Sequence, residues 1–139
     1  MHRLRRISRT LVLLALALWI APGAASAQQI PPELASSTPQ ERAKALTLVM
    51  KEKLSLTPEQ LPKVEAINLD AAQKMEPVLE GTEGPLVEMR TTKQVEQGKE
   101  AALQSVLTPQ QFQQFLAGRD EMKQKAEQKL MEKRKSTSP

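Results

Sequence analysis

Apolar residues in this chain recur every three or four positions in four successive stretches, which is the spacing of one buried face of an α-helix. The first three stretches cover about 39–54, 58 to Pro77 and 86–106, and the last runs from 109 to about 135. Pro77 is expected to kink or end the second helix. No stretch alternates apolar and polar residues as a half-buried strand does. The pattern therefore predicts an all-α protein with about four helices.

A five-residue pattern, Leu-Thr-Pro-x-Gln, opens both the second and the fourth predicted helix. Each threonine suits the N-cap, and each glutamine lies where it completes a capping box with that threonine. Each leucine suits a hydrophobic staple. Helix initiation is the simpler interpretation of the motif, and a direct functional role is the alternative. The residues concerned are Leu56, Thr57, Gln60, Leu107, Thr108 and Gln111.

Residues 1–27 are typical of a cleavable signal peptide. Four arginines precede an apolar run at 11–20, and the small residues Ala25 and Ala27 fit a cleavage site after Ala27. This pattern predicts export to the periplasm. The remaining chain is interpreted as a flexible, proline-containing leader at 28–37, a helical domain at 38–135 and a disordered tail at 136–139.

Removal of the signal peptide changes the composition in a way that limits function. Four of the twenty basic residues are lost, so sixteen remain beside sixteen acidic residues, and nucleic acid is not an expected partner. The mature chain contains no Cys, His, Trp or Tyr. It cannot form a thiol nucleophile, an imidazole base or a His/Cys metal site. We therefore expect neither an enzyme nor a bound metal or cofactor.

The fourth helix is the longest, and its outer half is basic, with seven Lys or Arg against four acids over 119–135. This end could align with the acidic part of a second chain, or it could be a solvated helix end. Its apolar stripe is expected to extend past the short first helix. A second copy would cover that stripe, so the sequence predicts a homodimer. The interaction surface expected from this reasoning comprises Met122, Leu130 and Met131.

Two further features allow alternative interpretations. The five methionines that follow the signal peptide are flexible side chains that could line an adaptable binding surface, or they could fill the core. Asn68 interrupts an apolar stripe, where it could bond to a neighbouring helix end or face water.

The signal peptide, the cysteine-free helical region and the two motifs at 56–60 and 107–111 together resemble the Spy/CpxP family of periplasmic proteins. The resemblance covers residues 38 to about 135. It implies an antiparallel helical hairpin that pairs into an elongated dimer. It also implies ATP-independent, chaperone-like binding of unfolded or envelope proteins during envelope stress. The alternative is a regulatory subunit that docks on the sensor domain of a membrane kinase.

Overall fold

The structure of the chain is a computed structural model that describes residues 32–137, apart from the side chain of residue 33. The predicted signal peptide lies outside this range, as do 28–31 of the leader and the last two residues of the tail. The described part is helical and contains no strand. In chain order its helices are α1 (Pro32–Ala35), α2 (Pro39–Leu54), α3 (Leu61–Lys74), α4 (Glu76–Leu79), α5 (Pro85–Val106) and α6 (Pro109–Thr137).

The bounds of α2 match the predicted first helix, because both of its ends carry strong local signals. Thr38 accepts a hydrogen bond from the backbone N–H of Glu41, whose carboxylate accepts one from the Thr38 N–H, so the two form a capping box. At the other end Ser55 adopts a left-handed conformation with a φ of 51°, and its N–H bonds to the Lys51 carbonyl. A left-handed residue of this kind commonly closes a helix.

The second predicted helix is divided in the structure. Residues 58–60 form a turn, and α3 begins at Leu61, because Pro62 has no N–H to donate to the Pro58 carbonyl. Pro77 lies in α4, which follows α3 directly after Met75. The prediction that the helix would kink or end near Pro77 is confirmed, whereas the expected start at Pro58 is three residues too early.

Part of the segment interpreted as a flexible leader is folded. Pro32 begins α1, where an extended backbone had been expected, and Ser37 after it is buried. Arg134 of α6 donates a hydrogen bond to the Ser36 carbonyl at 2.7 Å. The guanidinium of Arg42 donates to the backbone carbonyl of Ser37 and forms an ion pair with Glu76. These bonds fix α1 against the bundle because they satisfy its free carbonyl groups.

The four long helices run alternately up and down, so that both Leu-Thr-Pro motifs lie at one end of the bundle. Helix α2 packs most extensively against α6 and α3, and α3 packs against α5. Of the neighbouring pairs, α5 and α6 have the fewest close approaches. The core is built mainly from α2 and α6, with smaller contributions from α3 and α5. Its most buried apolar side chains are Val49, Met50, Val64, Leu103, Met122 and Phe115.

The structure contradicts the expectation that the stripe of α6 is uncovered. Met122 and Leu130 are only 2% and 6% exposed, and both belong to the same core cluster as α2. Met131, beside them, is half-buried. The prediction was wrong because α2 and α6 are antiparallel over nearly their whole lengths. Lys133, close to the end of α6, pairs with Glu41, close to the start of α2.

The predicted tail is also helical where it is described, since Ser136 and Thr137 continue α6 and their hydroxyls bond to the Lys133 carbonyl.

The basic residues of α6 pair with carboxylates of the same chain. Lys123 pairs with Glu96 at 2.7 Å, and Arg119 pairs with Glu100. Both pairs join α6 to α5 across the widest gap in the bundle. Within 32–137 no helix combines the length and apolar character needed to cross a membrane.

Candidate functional site: the paired Leu-Thr-Pro turns

Each Leu-Thr-Pro motif forms its own capping box. Thr57 and Gln60 exchange two hydrogen bonds, from the Thr57 N–H to Gln60 Oε1 at 3.0 Å and from the Gln60 N–H to Thr57 Oγ1 at 3.2 Å. Thr108 and Gln111 repeat both bonds at the same two distances. These bonds satisfy backbone N–H groups that the first turn of a helix leaves without partners. Both threonines are exposed, and both glutamines are half-buried.

The two motifs are joined through their glutamines. Gln60 Nε2 donates to Gln111 Oε1 at 2.7 Å, and Gln111 Nε2 donates to Gln60 Oε1 at 3.0 Å. The two residues are 51 positions apart in the sequence. Their reciprocal amide pair therefore connects the α2–α3 turn to the α5–α6 turn.

Each glutamine also caps the end of a helix from the other half of the chain. The second N–H of Gln60 Nε2 donates to the Val106 carbonyl at the end of α5, at 3.1 Å. Gln111 Nε2 likewise donates to the Leu54 carbonyl at the end of α2, at 3.1 Å. Each amide nitrogen donates two hydrogen bonds and each amide oxygen accepts two, so the hydrogen-bonding capacity of both side chains is fully used. The end of the bundle is thus closed by a fully satisfied polar network, which favours a rigid, unique arrangement.

The two motif leucines add apolar packing to this connection between the turns. Leu56 is 7% exposed and Leu107 is 6% exposed, and both lie in the core cluster. Leu61 and Phe112, the residues expected to form the staples with them, pack against the same cluster. The contacts of the site are hydrogen bonds among side-chain amides, hydroxyls and backbone groups, together with apolar packing. Its chemistry is that of a structural joint between two helical hairpins.

Sequence analysis predicted the two caps and missed the bond between them. A capping box accepts either Glu or Gln at its third position. The box that opens α2 uses Glu41, whereas both Leu-Thr-Pro motifs use glutamine. Only glutamine can accept a bond from its own cap and also donate to a distant carbonyl. Glutamine at the same position of both motifs was the sequence feature that indicated the cross-link.

A separate surface feature lies at the opposite end of the bundle. Leu86, Val87 and Met89, in the first turns of α5, are 74%, 45% and 66% exposed. They follow the turn that contains Gly81, which has a positive φ of 62°, and Gly84. Sequence analysis did not assign these residues to a surface. We call these three residues the α5 apolar patch.

A cavity of about 180 Å³ opens between the helices, and residues of each helix from α1 to α6 line it. Lys99 lies on its wall and is only 9% exposed. Burial lowers the pKa of Lys99, and the charge of Lys123 lowers it further, while Glu96 and Glu100 raise it. Sequence analysis did not select Lys99, because a lysine next to a glycine in a helix is ordinarily solvated.

Asn68 lies on the wall of the same cavity and is 2% exposed. Its Nδ2 donates to Thr47 Oγ1 at 2.9 Å, so it bonds to the side of α2 and not to a helix end, and it does not face the solvent. Its Oδ1 is buried without a hydrogen-bond partner in the described part of the chain. No group of three or more His, Cys, Asp or Glu side chains in residues 32–137 is arranged to hold a metal ion.

Comparison with protein families gives a match to a family described as a domain of unknown function, DUF4890, over residues 27–115. This match covers well over half of the chain and includes both Leu-Thr-Pro motifs. The chain belongs to the DUF4890 family. Comparison with curated proteins and with solved structures gives no significant match. The DUF4890 match ends inside α6, so it contains the glutamine pair but not the residues of α6 that cover α2.

Proposed function

We propose that this DUF4890 protein is an ATP-independent, chaperone-like binding protein of the cell envelope. The observation that carries this proposal is the α5 apolar patch. Three large apolar side chains are exposed within residues 86–89, about one turn near the start of α5, and Leu86 and Met89 are three positions apart on the same side of that helix. Exposed apolar groups of this kind are typical of surfaces that bind other proteins.

An unfolded polypeptide is the occupant that this patch favours. The patch is small, and its neighbours in sequence include the charged residues Glu83, Glu88 and Arg90. An extended segment with a few apolar side chains can cover such a surface, whereas a stable folded interface buries a much larger area. Met89 adds a flexible side chain that adapts to different partners. The resemblance to the Spy/CpxP family supports the same class of function.

Location in the envelope is proposed from the signal-peptide pattern of residues 1–27. Protein recovered from the envelope should begin at Gln28, which mass spectrometry of the intact N-terminus can establish. A dominant species that retains Met1 would contradict this part of the proposal.

The binding function is tested by aggregation of a reduced, denatured client protein in the presence of residues 28–139. The protein should slow the rise in light scattering without ATP. The double substitution Leu86→Ser and Met89→Ser should remove most of this effect and leave the helical circular dichroism spectrum unchanged. Leu48→Ser is the matched control, because Leu48 is 43% exposed on a different helix. Equal suppression by the double variant would contradict the proposal.

Solution mass distinguishes client binding from self-association. If the α5 apolar patch joined two copies of the chain, the wild type would be a homodimer and the same double variant a monomer. Recovery of a single membrane sensor protein after crosslinking in cells would instead favour the regulatory alternative. Either result, without suppression of aggregation, would replace the chaperone-like function.

A further inference from the structure

The cavity that Lys99 lines has mostly apolar walls, and it exists because small alanine side chains leave the space between the helices unfilled. Ala43, Ala71, Ala72 and Ala126, from three different helices, line it where larger side chains would fill the core. Its volume of about 180 Å³ is slightly larger than an engineered apolar cavity of about 150 Å³ that stays dry and binds benzene. The space therefore suits an aliphatic group of roughly six to eight carbons.

Lys99 supplies a single unpartnered cation on this apolar wall. Its ammonium group makes no hydrogen bond and no ion pair among the described residues, although the side chain is more than nine-tenths buried. Buried charges in proteins are normally paired, because an unpaired charge in an apolar site is costly. Lys99 lines this cavity together with Glu96 of its own helix and Lys123 of α6.

The other charges at the cavity are mostly engaged elsewhere. Glu96 forms an ion pair with Lys123, and Arg42 forms one with Glu76. Glu127, on the α6 side, is not among the charges that act on Lys99. With Arg42 paired to Glu76 and Lys123 paired to Glu96, Lys99 is the remaining cation of the lining and Glu127 the remaining carboxylate, and no ion pair joins these two among the described residues. A ligand carboxylate would therefore pair with Lys99 without displacing an existing ion pair.

We propose that this cavity binds an aliphatic monocarboxylate, with the alkyl chain among the alanines and the carboxylate on the Lys99 ammonium. The ligand would supply the anion that the protein does not, and its chain would occupy the unfilled core space. This site is separate from the α5 apolar patch, so a negative result for the chaperone-like function would not contradict ligand binding in the cavity.

The test is titration of residues 28–139 with octanoate, and with octan-1-ol as the uncharged probe of the same length, followed by amide chemical shifts. Octanoate should bind at least tenfold more tightly than octan-1-ol and should shift signals of residues around Ala71 and Ala126. Lys99→Met should weaken octanoate at least tenfold and change octan-1-ol less than twofold. Lys99→Arg, which keeps the charge, should restore most of the affinity.

Two controls keep this inference falsifiable. Lys93→Met removes an exposed lysine of the same helix and should leave both affinities unchanged. Ala71→Leu fills the cavity and should weaken both ligands together. Equal binding of octanoate and octan-1-ol, or an undiminished octanoate affinity in Lys99→Met, would overturn the inference. Absence of any octanoate-induced shift around the cavity would overturn it as well.

Discussion

Gln60 and Gln111 bind each other through both atoms of their side-chain amides, at 2.7 and 3.0 Å, while each also caps its own helix. A motif that looks local in sequence is thus half of a long-range contact. The contact adds to the packing of α2 on α6 and of α3 on α5, which holds together the two helical hairpins that the 75–84 segment links along the chain.

Gln60→Ala and Gln111→Ala should each destabilise the fold by roughly 2–6 kcal/mol, because each loses four hydrogen bonds with a net value of about 0.5–1.5 kcal/mol apiece. The two effects should not add. A double-mutant cycle by urea denaturation should give a coupling energy of about 1 kcal/mol or more. Gln114→Ala, on the exposed side of α6, is the control and should change stability by less than about 0.5 kcal/mol.

Gln60→Glu separates the cap from the cross-link. The carboxylate can still accept from Thr57, but it has no N–H to donate to the Val106 carbonyl. Contact with that carbonyl should raise the carboxyl pKa above its unfolded value of about 4.3. The folded state then binds the proton more tightly, so the variant should lose stability as the pH rises through that window. A Gln60→Glu variant as stable as wild type at pH 7 would show that the cross-link contributes nothing.

Thr57→Ala and Thr108→Ala should each lower the free energy of unfolding by about 0.5–2 kcal/mol, because each removes the hydroxyl that accepts from the N–H of the following glutamine. Thr57→Ser and Thr108→Ser keep that hydroxyl and should lose much less. Denaturant midpoints provide the measurement. Equal midpoints for the alanine and serine variants would mean that the hydroxyl is not what the motif requires.

Met122→Glu and Leu130→Glu should unfold the single chain, since each places an unpaired charge in the core. We expect a loss of at least about 3 kcal/mol for each, measured by thermal or urea denaturation. Met89→Glu is the matched control at an exposed methionine and should cost less than about 0.5 kcal/mol. If either core variant changed only the solution mass and kept its stability, the burial of this stripe would be disproved.

Lys99→Met should raise stability at neutral pH. Burial holds the folded-state pKa of Lys99 below its ordinary value of 10.5, so folding opposes the charged form. Below the lowered pKa this cost is fully present, and it disappears as the pH rises towards 10.5. The stability difference between variant and wild type should therefore be largest at neutral pH and shrink as the pH rises from the lowered pKa towards 10.5. A difference that does not change over this range would contradict the burial of a charged Lys99.

Sequence analysis predicted the features that depend on residues within one helix and missed those that depend on contacts between helices. Thr38 and Glu41 fix the start of α2 locally, so its bounds were predicted correctly. Pro62 delays the start of α3 to Leu61 through one missing N–H, so the predicted start at Pro58 was too early. The burial of Leu130 depends on how far α2 and α6 overlap, and the length of either helix alone does not reveal this overlap.

The burial of Lys99 and the amide pair were missed for a related reason. A lysine and a glutamine are ordinarily solvated, so their types alone give no sign of a tertiary role. Lys99 is buried because α3 and α6 flank α5 around a cavity lined with small side chains. That arrangement follows from the packing of the whole bundle and from no single segment.

The position of α6 has a consequence for what counts as an autonomous folding unit in this family. The DUF4890 match ends at residue 115, whereas the face of α2 is covered by side chains as far along as Leu130, and Lys133 reaches back 92 positions to Glu41. A fragment of residues 28–115 would keep the amide pair but leave much of α2 open to water. It should have little cooperative unfolding by circular dichroism, and a synthetic peptide of residues 116–137 should restore it. Experiments on other family members should therefore retain the chain that follows the matched segment.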